Sequence, residues 1–194
     1  RWKRKGAQRS PEMMEIYRGF VRDVLGPIVK ATGETELYFS RIPLIRTHFP
    51  LPIPDAQDRK MLQISQGNGK RSKRRGCRQP GVSTQRHTDG RFGHPSSEFN
   101  IWLPLSCKAS GTNSLYRDST PWSGASSSSP FDLEYGQFVM FYGNQVPHET
   151  RQNTTGLTRV SLDLRCIPGS LFQKDFPNRT YSAKGSYYDV LSLI

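Results

Sequence analysis

Leu157-Thr158-Arg159-Val160-Ser161-Leu162-Asp163-Leu164-Arg165 is the stretch whose alternation decides the fold. In an extended chain successive side chains point to opposite sides, so Thr158, Val160, Leu162 and Leu164 share one face while Arg159, Ser161, Asp163 and Arg165 share the other. This predicts a strand with an apolar side for a core and a charged side of its own. Two readings of the charged side stay open here. It faces solvent with its charges paired laterally, or it faces an interior where the planar guanidinium of Arg159, with the Ser161 hydroxyl two positions on, grips a carboxylate.

Outward from that strand the same period recurs. Leu37-Tyr38-Phe39, the segments 42–49, 98–105 and 137–142, and the full run 157–167 are short, rich in β-branched and aromatic residues, and bounded by Gly, Pro, Ser and Asn. Only the N-terminal region carries a helical pattern. Ser10-Pro11-Glu12 supplies a cap, a proline at the first helical position and an acid in the first turn, and Met13, Tyr17, Phe20, Val24 and Ile28 recur at spacings of three and four as one apolar stripe. Many short strands with a helix kept to one end predict a mainly β fold, a double-stranded β-helix (jelly roll) with the helix packed on one sheet. At 194 residues the chain fits one domain. Its expected parts are a basic segment and helix (1–36), a jelly-roll core (37–168) and a C-terminal tail (169–194).

Charge is unevenly placed. Of 28 Lys and Arg against 16 Asp and Glu, residues 1–91 hold 20 against 8 and residues 92–194 hold 8 against 8. The excess concentrates in segments 1–5 and 70–78, which read as solvated loops with capacity for an anionic small molecule or an acidic assembly partner. Nucleic acid is disfavoured as a partner, because no aromatic residues are interleaved to stack on bases. A mean hydropathy of −0.66 and the lack of a long apolar run exclude a helical membrane span. Three cysteines without Cys-x-x-Cys spacing exclude a zinc ribbon and favour a soluble protein in a reducing, intracellular setting, cytoplasm or an organelle.

The chemistry concentrates in three places. In Gln85-Arg86-His87-Thr88-Asp89-Gly90, His87 and Asp89 stand two apart, and on a strand both would reach one ion. His148 follows the strand 137–142 and the turn Gly143-Asn144-Gln145-Val146-Pro147, which delivers it to the end of the sheet. Two histidines and a carboxylate on one face of an octahedral ion leave positions open for oxygen and a co-substrate, and iron(II) is the metal that such a set selects. His94 fits three roles equally: support for a ligand, substrate contact, or alternative ligand.

The order His87-x-Asp89, His148 and Arg159-x-Ser161 resembles the Fe(II)/2-oxoglutarate-dependent oxygenase superfamily. Within it, Arg86-His87-Thr88-Asp89-Gly90-Arg91-Phe92-Gly93-His94-Pro95, the segment 98–105, Asn113-Ser114-Leu115 and the segment 158–165 resemble the StrG-like branch of streptomycin biosynthesis, close to the phytanoyl-CoA-hydroxylase-like proteins. The likeness spans about residues 37–168; the basic run near Lys70 departs from it. The resemblance implies metal ligands at His87, Asp89 and His148. It places Arg159 on the distal carboxylate of 2-oxoglutarate, with Ser161 assisting, and Asn100 near the co-substrate or substrate. It further implies an Fe(II) enzyme using 2-oxoglutarate and O2, whose iron-centred oxidant hydroxylates a small polar metabolite with release of succinate and CO2. Asp89 keeps the carboxylate that halogenating relatives lose. Substrate contacts are expected in a lid-like loop 114–130, from Tyr116, Arg117 and Trp122. The rival reading is a non-catalytic basic jelly-roll subunit of a larger assembly. A cupin-like protein fits poorly, with Glu98 lying 11 residues beyond His87.

Overall fold

A computed structural model describes residues 10–50, 84–119, 127–173 and 187–194. The strands, in chain order, are β1 (Glu36–Ser40), β2 (Leu44–His48), β3 (Phe99–Pro104), β4 (Leu115–Asp118), β5 (Ser128–Pro130), β6 (Val139–Phe141), β7 (His148–Thr150), β8 (Arg159–Pro168) and β9 (Tyr188–Ser192). The protein is mainly β, with one helical segment at its N-terminal end.

The alternating strand β8 is the spine. Along one edge it pairs with β3, Phe99 opposite Cys166 through Pro104 opposite Ser161. Its other edge is shared: β2 pairs with its first half, Arg46 opposite Ser161, and β1 with its last residues, Phe39 opposite Cys166. β6 extends the sheet beyond β3 and β9 extends it beyond β1, giving six antiparallel strands. A second antiparallel sheet, β5-β4-β7, holds three.

The two faces of β8 go to two environments. Leu162, Leu164 and Cys166 join Leu37, Phe39, Phe99 and Ile101 under the helix, in a core closed by Tyr17, Val21, Leu25 and Val29. On the other face Trp102 of β3 packs with Ala109, Leu115 and Phe131, so the smaller sheet covers the side where Arg159, Ser161, Asp163 and Arg165 point. The charged face is therefore interior, which decides between the two readings of the sequence.

The helix is α1 (Pro11–Phe20), a π turn (Val21–Leu25) and α2 (Gly26–Lys30). Ser10 caps it, its hydroxyl accepting from the Met13 amide at 3.2 Å, as the Ser-Pro-Glu signature predicts. The predicted stripe needs correction. Val24 and Ile28 are 38% and 41% exposed, and the buried apolar side chains are Tyr17, Val21, Leu25 and Val29. The π turn widens the coil, so residues four apart stay in register and the stripe passes from Phe20 to Val21.

Two further expectations change. Residues 115–118 are not loop but the middle strand of the small sheet, and the C-terminal tail returns residues 188–192 as an edge strand on β1. The basic segments 1–5 and 70–78, and Trp122, lie outside the described residues. No described helix is long and apolar enough to cross a membrane.

Candidate metal centre

His87 and His148 are opposed across an isolated antiparallel bridge: the His87 amide donates to the His148 carbonyl at 3.1 Å and the His148 amide returns the bond at 2.9 Å. Directly opposed residues project to the same side of a ladder, and the two rings lie 4.4 Å apart between centroids. This departs from the expected strand geometry, in which His87 and Asp89 would share a face by alternation. Instead, the chain leaves the bridge after His87, and Asp89 opens a 3-10 turn (Asp89–Phe92). That turn ends at Gly93, whose φ of 86° suits a residue without a Cβ. The Asp89 amide donates to the Gly143 carbonyl at 2.8 Å, tying this turn to the turn before β7.

The three side chains converge. His87 Nε2 lies 3.4 Å and His148 Nε2 3.7 Å from Asp89 Oδ1, and all three candidate ligand atoms lie within 4.8 Å of one another. Neighbouring ligand atoms on an octahedral ion sit roughly 3 Å apart, so a small contraction would close the set around one cation. The tautomers suit this. His87 Nδ1 sits 2.6 Å from the Gln85 carbonyl and His148 Nδ1 3.0 Å from that of Val146. A carbonyl only accepts, so each Nδ1 carries the proton and each Nε2 keeps its lone pair for a metal.

Electrostatics agree. Burial pushes the His148 imidazole below its ordinary pKa, against the opposing charge of Asp89, so it is neutral as a ligand must be. Burial alone would raise the Asp89 carboxyl; the charge and the hydrogen bond of the Arg165 guanidinium are among the contacts that outweigh it and hold the carboxylate ionised.

Arg159 is fully buried. Among the described residues none of its guanidinium nitrogens, nor the Ser161 hydroxyl, has a hydrogen-bond partner. Its guanidinium carbon lies 5.1 Å over the Trp102 ring, and burial lowers its pKa to about 10, which leaves it charged at neutral pH. A narrow inner cavity is lined by Arg159 together with His87, His148, Asn100 and Phe141. It adjoins a larger cavity of about 590 Å³ whose walls include His87, Asp89, Arg91, Phe92 and Arg46.

The other residues singled out in the sequence divide. Asn100 lines the inner cavity, and its Nδ2 donates to Asp89 Oδ2 at 2.7 Å. His94 stands outside the ligand group, with Nδ1 2.8 Å from Glu98 Oε1. Tyr116 and Arg117 are not lid residues: Tyr116 is buried in β4 beneath Arg151, and Arg117 lies over Phe131. Sequence reasoning missed Arg165, Glu98 and Tyr188, which form a partly buried network behind Asp89. The signal was present for Arg165 alone, on the same strand face as Arg159.

No family model matches the chain. Among curated proteins, the streptomycin biosynthesis protein StrG of Streptomyces griseus is 28% identical over 180 residues, covering 91% of this chain and 69% of StrG. The chain resembles StrG along nearly its whole length. The StrG likeness therefore reaches beyond the segment 37–168 that carries the sequence motifs. Among solved structures, a non-heme monooxygenase, the ThoJ–nickel complex, aligns with a TM-score of 0.42 at 10% identity, covering 74% of this chain; the chain spans 49% of that structure's length.

Proposed function

We propose that this StrG-like chain is a non-haem iron(II) oxygenase that uses 2-oxoglutarate as co-substrate, with His87, Asp89 and His148 holding the iron. The two sheets are read as the halves of a double-stranded β-helix, and the chain as a single oxygenase domain. The observation that carries the reading is Arg159: a fully buried cation whose donors meet no acceptor among the described residues, on the wall of the cavity that also holds the two histidines. An isolated charge in such a place costs several kcal/mol unless an anion meets it. The inner cavity holds only about 30 Å³, so a dicarboxylate reaching from the metal to Arg159 requires its walls to open; the charges at the two ends of the cavity match its two carboxylates.

When bound, the iron would activate O2 and couple its reduction to oxidative decarboxylation of 2-oxoglutarate, giving succinate and CO2. The chain's own groups position and shield. Nδ1 of each histidine donates to a backbone carbonyl and fixes the ring that presents Nε2. Phe92 packs edge-on against His87, and Phe141 against His148, which narrows solvent access to the ligands. The larger cavity would hold the substrate, a small molecule reaching the metal beside Phe92 and Arg91.

The test is anaerobic titration of the Fe(II) protein with 2-oxoglutarate, read by charge-transfer absorption of the chelate, followed by admission of O2 and assay of succinate. A wild-type protein that develops the band and forms succinate, while Asp89→Ala does neither, is the expected outcome. Metal-loaded wild type that shows no band and no succinate refutes the reading.

A further inference from the structure

The two oxygens of Asp89 face different partners. Oδ1 is turned to the two histidine Nε2 atoms, at 3.4 and 3.7 Å. Oδ2 is turned away and receives two donors, Asn100 Nδ2 at 2.7 Å and Arg165 Nη1. Arg165 is held in turn: the same nitrogen donates to Glu98 Oε1 at 3.2 Å and Asn100 Oδ1 at 3.3 Å. Glu98 is 1% exposed and is itself gripped on both oxygens, by His94 Nδ1 at 2.8 Å and by the Tyr188 hydroxyl from β9. Gly143 closes the arrangement. A Cβ there would fall 2.5 Å from Asp89 Oδ2 and overlap the Asn100 amide, so the bare glycine backbone walls in the far side of the carboxylate.

We propose that Arg165 and Asn100 are positioning residues that restrict Asp89 to a single metal bond, by occupying the oxygen that would otherwise join the first in a chelate. The inference rests on the metal-centre reading above. Its consequence is one of counting. An octahedral ion offers six positions; a facial triad takes three and a chelating 2-oxo acid two, which leaves one for dioxygen. An Asp89 that chelated through both oxygens would take that last position. The protein opposes this by giving Oδ2 two donors of its own, an amide and a guanidinium, whose bonds in a buried site would have to break before that oxygen could turn to the ion. Tyr188 and His94 act one step further back, holding the carboxylate that holds Arg165.

The experiment counts water on the metal without relying on turnover. Mn(II) is loaded into the full chain in place of iron, and water-proton relaxation is measured before and after saturating 2-oxoglutarate. Wild type is expected to keep roughly a third of its inner-sphere enhancement when 2-oxoglutarate binds, one water of three remaining. Two variants loosen the clamp. Asn100→Val removes one donor outright; Arg165→Met with Glu98→Gln removes the guanidinium and its counter-charge together, so that no lone charge is left buried in place of the pair. In each the freed Oδ2 turns to the metal, and relaxation in the ternary complex drops to the outer-sphere baseline. Either folded variant serves alone if the other fails to fold. Variants that bind Mn(II) and keep the wild-type residual enhancement overturn the clamp and leave the metal centre standing. A wild type that gives no Mn(II) enhancement at all overturns the metal centre and the clamp with it.

Discussion

Arg159 lies beside Trp102 with its guanidinium carbon 5.1 Å over the indole ring and without a hydrogen-bond acceptor among the described residues. The ring face attracts a cation, but such a contact contributes only about 2 kcal/mol even when desolvated, less than burial of an unpaired guanidinium costs. The residue therefore weakens the ligand-free protein, and two opposite effects follow from Arg159→Met. Without ligand, the variant is expected to unfold at a higher urea concentration than wild type, because a packed apolar chain replaces a buried charge that lacks a hydrogen-bonded partner. On the proposed function, its affinity for 2-oxoglutarate should fall by roughly 10- to 100-fold, the worth of about 1.5–3 kcal/mol for hydrogen bonds to a charged group. Urea midpoints and an anaerobic binding titration check the two signs. A variant less stable than wild type would mean that Arg159 is partnered inside the protein after all.

At the scale of elements, the π turn makes a prediction that the sequence pattern alone contradicts. Tyr17, Val21, Leu25 and Val29 face the sheet, whereas Val24 and Ile28 are partly exposed. Leu25→Ala should cost about 2–5 kcal/mol and Val24→Ala within about 0.5 kcal/mol, measured by urea denaturation; equal costs would restore the regular stripe. The stripe was misread because one wide turn shifts its phase by a single residue. In the large sheet β1, β2, β3, β6 and β8 were legible from alternation or apolar density, whereas β9 was read as tail. β5 and β7 have three residues each, too few to show a period, and β4 was hidden because its Tyr116-Arg117 resembles loop chemistry. At the site, His87, Asp89 and His148 were legible as residue types in order. Their convergence through a cross-strand bridge and a 3-10 turn was not, since it depends on pairings distant in sequence. The Asp89–Arg165–Glu98–Tyr188 network reaches from residue 89 to 188, and no local spacing encodes it.

Over the whole molecule, the candidate metal centre ties stability to pH and, on the proposed function, to metal. His148 has its pKa lowered by burial, so between the unfolded value of 6.5 and its lower folded value the unfolded chain binds a proton that the folded chain does not. Stability from this group is thus complete above about pH 6.5 and declines as pH falls below it. Asp89, also lowered, acts in the same sense at more acid pH: its contribution is present above the ordinary carboxylate value of 3.8 and is lost as pH falls towards the depressed one. The metal-free protein should therefore lose stability in two stages on acidification, the first beginning near pH 6.5. A divalent ion that binds only the folded state adds RT ln(1 + [M]/Kd), about 4 kcal/mol at a thousandfold excess over Kd. Protons compete for His148 Nε2 only where the folded chain binds them, so the increment should hold through the first interval and shrink below the lowered folded value of His148. Thermal unfolding with and without Mn(II) at pH 7.5, 6.5 and 5.5 measures both quantities at once. His148→Gln should flatten the first stage of the metal-free curve and remove the metal increment at every pH. A metal increment that persisted in that variant would place the ion elsewhere in the molecule and detach the pH dependence from the site.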